Sequence, residues 1–318
     1  MFSIISRVKS VKNLILSKLD QLLSNDTALL QTSQQILTLL QQQALEKSHG
    51  KNPIYLEYPI NPSSRYGYGK PPHPQLLEII NQNRETYKAI LQSIAKYHVN
   101  FQRIAITSAP NDIEPIWNTT WLPAYDAAAL YSFLCLNNPE RYIEVGSGTS
   151  TKFARKAITD HNLRTKVISI DPFPRTEIDS ICDQIIRKKL EEVDLELFDE
   201  LQAGDILFID NSHCVFMNSD STVVFLDILP RLKPGVLVEF HDIFLPYDYP
   251  PEWIDRYYSE QYLLAAYLLA QGKKFDILLP NCFVSGDTEL RDIISFIWDK
   301  PEMEAVVKGG GSFWIKMN

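Results

Sequence analysis

Paired cysteines are missing from this chain. Cys135, Cys182, Cys214 and Cys282 are its four cysteines, and no two of them form a CxxC pair. That argues against a zinc knuckle or a disulfide framework. Scattered cysteines fit a reducing compartment, so a cytoplasmic location is the expectation. No apolar run reaches the roughly 18 residues that a membrane span needs. A secretory leader is not expected in the opening residues either. The first 19 residues carry Arg7, Lys9, Lys12 and Lys18 and no acid, with apolar residues interleaved among the lysines. Positive charge is in deficit overall. The formal net charge is −8, and an acidic surface repels phosphate backbones, so nucleic acid is not an expected partner. No internal repeat of roughly 20–50 residues is visible.

What is present divides into three parts. Of the 318 residues, 45% are hydrophobic and 22% charged, enough for one large domain and a smaller appendage. Residues 1–50 read as a helical N-terminal arm. Val8, Ile15, Leu22, Leu29 and Ile36 recur at intervals of seven, a stripe suited to packing on the same chain, to self-association into a homo-oligomer, or to a membrane surface. Residues 51–125 read as a cap of helix and loop. The turn-rich run Arg65-Tyr66-Gly67-Tyr68-Gly69-Lys70-Pro71-Pro72 opens it, helical spacing follows over 75–100, and 110–123 is irregular. In this cap Tyr66, Tyr68, Trp117 and Trp121 are the candidate apolar walls of a site.

Residues 126–318 read as an α/β domain. Tyr142–Val145, Val167–Ile170, Gln184–Ile186, Asp205–Ile209 and Val236–Phe240 are strand candidates that alternate with helices, including a helix expected over 219–232. That alternation implies a parallel sheet with right-handed crossovers. Phe275–Leu279 and Ser312–Lys316 are two further strands.

Candidate chemistry gathers at the strand ends. Glu144-Val145-Gly146-Ser147-Gly148-Thr149-Ser150 feeds a strand through a glycine turn into a helix, where free N–H groups await a ligand. A dinucleotide fingerprint wants a third glycine three residues after the second, and Thr151 stands there. Glu144, two places before the turn, suits a ligand with an ammonium group. Asp171 ends the second strand, where a carboxylate can take both hydrogens of a ribose diol. Asp210 and His213 follow the fourth strand, and His241 and Asp242 follow the fifth. Neutral His213, or His241 as second choice, can take a proton from an acceptor hydroxyl. Asp210 and Asp242 with a histidine can also hold a hard divalent metal.

With these motifs the chain resembles the class I S-adenosylmethionine-dependent methyltransferases. The resemblance rests on Glu144–Ser150, Ile170-Asp171, Gly204–Asp210 and the paired strands of the tail. It is closer to an uncharacterised bacterial branch that shares Ile209-Asp210-x-Ser212-His213, Leu229–Gly235, His241-Asp242-Ile243-Phe244-Leu245-Pro246, Glu260–Leu264 and Gly310–Trp314. It implies a Rossmann-like doubly wound sheet of about seven strands, mostly parallel, with an antiparallel C-terminal strand and a helical N-terminal extension. Glu144, Gly146, Ser147 and Gly148 would line the methionine side of S-adenosylmethionine. Asp171 would hold the ribose, and Glu192 would approach the adenine. The Asp-x-Ser-His run is similar to that of metal-dependent sugar O-methyltransferases. By that likeness Asp210 and Asp242 would bind magnesium and His213 would be the base, although Asn211 departs from the pattern. The expected activity is O-methylation of a small or glycosidic acceptor. The alternative is a non-catalytic nucleotide-binding protein on the same fold.

Overall fold

A computed structural model describes residues 11–17, 19, 34, 36–37, 57–58, 60–111, 113–270 and 274–318. The chain divides into two compact units, residues 1–61 and 62–318. In the first, residues 11–17 are helical, and most of the heptad stripe lies outside the described residues. No described helix is long and apolar enough to cross a membrane.

Helices of eight residues or more are labelled in chain order. In the second unit α1 (Pro74–Asn81) and α2 (Arg84–Ala95) fulfil the helical spacing of the cap. Pro74 opens α1 at its first position, and the His73 ring accepts the Leu76 N–H. The stretch 110–123 is irregular, apart from a bridge between Ala105 and Ile116. Next come α3 (Ala124–Asn137), β1 (Arg141–Val145), α4 (Thr149–His161), β2 (Lys166–Ile170) and β3 (Gln184–Ile186). Then follow β4 (Ile206–Ile209), β5 (Leu237–Phe240), α5 (Glu260–Leu269), β6 (Phe275–Pro280) and β7 (Phe313–Met317).

The seven strands form one sheet in the order β3-β2-β1-β4-β5-β7-β6. The five strands from β3 to β5 run parallel, and β7 lies antiparallel between β5 and β6. This is the expected α/β architecture. Both faces of the sheet are covered, so β4 and β5 are buried at every residue, and β4 reads as an apolar run and β5 as one interrupted only by Glu239. Helix α3 is buried along Ala124–Leu134, which explains a sequence there that is apolar on nearly every side, Asp126 and Ser132 excepted.

One element differs from expectation. The helix expected over 219–232 is α-helical only over Asp220–Val223, widens into a π turn over Val224–Ile228 and tightens over Leu229–Arg231. Pro230 has no N–H to give the preceding turn, so a regular ladder cannot run through it.

The strand order reverses between β1 and β4. The parallel strands β1 to β5 all leave their C-terminal ends on the same edge, so a crevice opens there, the usual ligand position in such sheets.

Candidate functional site

The crevice holds a cavity of about 630 Å³. Gly146 and Ser147 after β1, Asp171 after β2, Asp210 and His213 after β4, and His241 and Asp242 after β5 all line it. The sheet register makes the meeting inevitable, because Val145 pairs with both Ile170 and Ile209, and Ile209 pairs with Phe240. Of the four cap aromatics only Trp121 lines this cavity. Trp117 is buried in the core against Phe101 and Phe153.

The glycine turn is held from below. Gly146 has φ +78°, and a β-carbon there would lie 1.8 Å from the Asp210 carbonyl oxygen. Glycine is therefore required by the neighbouring strand end, before any ligand is considered. Glu144 is wholly buried and does not line the cavity. Its carboxylate accepts from Tyr142 Oη at 2.8 Å and Thr151 Oγ1 at 2.5 Å, and Thr151 in turn accepts from Gly148 N at 2.9 Å. Thr151, in the place of a third glycine, thus ties the turn to the strand. Burial pushes the Glu144 carboxyl up to about 7, against the opposing hydrogen bonds of Ser150, Thr151 and Tyr142. Asp171 accepts from Ser147 N at 2.9 Å and Phe173 N at 2.8 Å, which fixes its carboxylate at the cavity wall. Glu192 is not among the lining residues, whereas its neighbour Glu191 is.

His213 sits among three carboxylates. Its Nδ1 is 2.9 Å from Glu260, and its Nε2 is 3.3 Å from Asp210 and 3.4 Å from Asp242. Glu260, at the start of α5, is fully buried and also accepts from Asn211 Nδ2 at 2.9 Å. Asn211 further accepts the His213 N–H at 2.7 Å. The asparagine that departs from the family pattern therefore shapes this loop and orients Glu260. His213 and Asp242 both adopt φ +56°, a sparsely populated conformation that aims their side chains back at the strand ends. Burial opposes charge on His213, but the Asp210 and Glu260 hydrogen bonds and the Asp242 charge outweigh it, holding its pKa well above the usual histidine range. Asp210 is correspondingly lowered, its burial outweighed by His213 and His241.

A second imidazole stands beside it. His241 Nδ1 lies 3.3 Å from Glu239 and 3.4 Å from Ser312 Oγ, and its Nε2 is 3.8 Å from Asp242. Glu239 is fully buried, with Oε2 lacking a partner, and burial pushes its carboxyl up to about 7. The pKa of His241 is also raised, Glu239, Asp242 and Asp210 overcoming the cost of burial.

One ligand atom from each of Asp210, His213 and Asp242 lies within 4.8 Å of the others. Two carboxylates and one imidazole nitrogen on a common centre fit a hard divalent cation. Glu260 would be the outer partner that orients the histidine. Composition and spacing alone could not single out Glu260, which is 47 residues from His213.

Residues 143–243 match the family model described as a methyltransferase domain. No curated protein matches the chain. Among solved structures, the chain is similar to the SAH-bound methyltransferase PaMTH1 of Podospora anserina, at 14% identity and a TM-score of 0.38, over 71% of this chain and 88% of that one. It is also similar to an O-methyltransferase from Bacillus cereus in complex with SAH, at 12% identity and a TM-score of 0.36, over 71% and 89%. A SAM-dependent methyltransferase from Archaeoglobus fulgidus is similar at 13% identity and a TM-score of 0.26, over 55% and 84%.

Proposed function

We propose that this chain, which carries a methyltransferase domain over residues 143–243, moves the methyl group of S-adenosylmethionine to an oxygen of a small or glycosidic acceptor. The observation that carries this reading is the convergence of Gly146, Ser147, Asp171 and the Asp210/His213/Asp242 cluster at one crevice, with Gly148 of the same turn outside its lining. S-adenosylmethionine supplies an already activated methyl carbon, so the protein's tasks are alignment and removal of a proton.

The turn presents backbone at Gly146 and Ser147, and Asp171 offers acceptor oxygens to a ribose diol. Arg175 stacks over Trp121 at 4.4 Å, and Arg256 over Trp253 at 3.9 Å, so the cavity has two flat cationic walls for an acceptor. Asp210 and Asp242 would hold a divalent cation such as magnesium, which would supply Lewis-acid stabilisation of an alkoxide and leave the His213 Nε2 lone pair free to take the proton. His213 keeps its Nδ1 on Glu260, so only Nε2 faces the cavity residues. Ringed by carboxylates, His213 holds a proton near neutral pH. It becomes a proton acceptor when Asp210 and Asp242 are otherwise engaged. His241, backed by Glu239, is the second base candidate.

Calorimetric titration with S-adenosylhomocysteine tests the donor site. Asp171→Ala should weaken binding by about 1–3 kcal/mol, and no binding by the parent chain would refute the reading. Titration with magnesium or manganese separately tests the cluster. Asp242→Asn should abolish saturable binding, and equal binding by parent and variant would remove the cation from the scheme. Screening acceptors with labelled donor then separates an enzyme from a non-catalytic nucleotide-binding protein.

A further inference from the structure

A second cavity, of about 440 Å³, shares no lining residue with the first. Its walls include Tyr68, Tyr125 and Tyr247, and its charged lining residues are Lys70, Arg291 and Lys308. All three are cations, in a chain with 31 basic and 39 acidic residues. They come from separate segments: the Arg65–Pro72 loop, the end of the short helix Thr288–Arg291, and the approach to β7.

These charges are poorly cancelled. Among the described residues the Lys308 ammonium has no partner. The Lys70 ammonium donates to the Ser64 carbonyl, a neutral group. Arg291 donates Nε and Nη2 to Asp292 at 3.2 Å, which leaves Nη1. Nearby acids are committed elsewhere. Asp248 accepts from the Arg65 and Tyr66 N–H groups, and Asp287 is bound to Arg84 in two hydrogen bonds. Tyr68 Oη donates to the Asp248 carbonyl at 3.2 Å and Tyr125 Oη to the Arg291 carbonyl at 3.0 Å, so those phenols are tied to the frame. An aromatic chamber with three cations at its rim, of which only Arg291 is paired with a carboxylate, suits a ligand that is apolar in its body and negative at one end.

We propose that this cavity is a binding site for a small amphipathic anion. A ring-sized apolar body would pack among Tyr68, Tyr125 and Tyr247, and one carboxylate, sulfonate or phosphate group would meet Lys70, Arg291 and Lys308. The site is separate from the donor crevice, and the proposal stands whether or not the chain transfers methyl groups.

The test is calorimetric titration of the full chain with 2-naphthoate and with its neutral counterpart, 2-naphthalenemethanol. The anion should bind about tenfold or more tighter than the alcohol. Lys308→Glu and Arg291→Glu change exposed side chains and should each weaken the anion by about tenfold. Gly286→Phe should abolish binding by filling the chamber. Gly286 lines the cavity, its φ is not left-handed, and an added β-carbon meets nothing within 4 Å, so this variant should fold. Unchanged thermal melting verifies that. Equal affinity for acid and alcohol overturns the proposal. So do anion binding that survives charge reversal and cavity filling, and the lack of saturable binding by 2-naphthoate.

Discussion

Gly146 and Gly148 share one turn and answer to different neighbours. A methyl group on Gly146 collides with the Asp210 backbone, and its φ of +78° is strained for any L side chain. Gly146→Ala should therefore cost roughly 2 kcal/mol or more of stability, read from urea unfolding. At Gly148 the nearest atom to an added β-carbon is Thr176 Cγ2 at 3.7 Å, ordinary contact. Gly148→Ala should keep parental stability, so the same urea unfolding separates the glycine that the strand end demands from the one it does not. Glu144 makes a prediction in pH. Its carboxyl titrates at about 7 in the folded chain, against 4.5 when exposed. The folded state therefore binds more protons across that window. Stability should fall as pH rises from 4.5 to about 7, by at most ~1.4 kcal/mol per pH unit from this group, and level off above. Glu239 titrates in the same window, so Glu144→Gln should reduce the slope without removing it. An unchanged slope in that variant would show that Glu144 is already ionised at low pH.

Among the elements, α3 and β7 are joined by one buried carboxylate. Asp126, in the first turn of α3, accepts from Gly311 N at 2.7 Å, Ser312 N at 2.9 Å and Asn281 Nδ2 at 2.8 Å. Asp126→Ala would strand three buried donors and should cost about 3 kcal/mol or more, measured by chemical unfolding. A variant as stable as the parent would mean that water replaces the carboxylate. This bond set also marks how far the sequence could be read. Strand runs such as Ile206–Ile209 are continuous and apolar, and Leu237–Phe240 is broken only by Glu239, so the sheet and the residues at its ends were legible, and with them Asp171, Asp210, His213, His241 and Asp242. Contacts that close across the chain were not. Nothing local in α3 tells Asp126 from a surface helix acid, and nothing near His213 announces Glu260. Thr151 read as a missing glycine, although its hydroxyl links Gly148 to Glu144. The helical spacing over 219–232 hides a break that Pro230, with no N–H to give, imposes on the ladder over Asp220–Arg231.

On the scale of the whole molecule, both cavities belong to the compact unit that begins at Pro62. A shortened chain starting there should fold and bind S-adenosylhomocysteine as the full chain does, while sedimentation shows whether residues 1–61 drive self-association. Loss of donor affinity at unchanged mass and folding would tie the first unit to the crevice. The placing of β7 has a bearing on biosynthesis. Six strands precede it along the chain, yet it fills the slot between β5 and β6. On the ribosome the sheet must wait with that slot open, its β5 edge unpaired, until Phe313–Met317 has cleared the exit tunnel. The same late segment delivers the Gly311 and Ser312 N–H groups to Asp126 and brings Ser312 beside His241. A chain lacking Phe313–Met317 would thus be a recognisable substrate for quality control, with an open edge and a half-built pocket, and no complete site could exist until that segment had emerged.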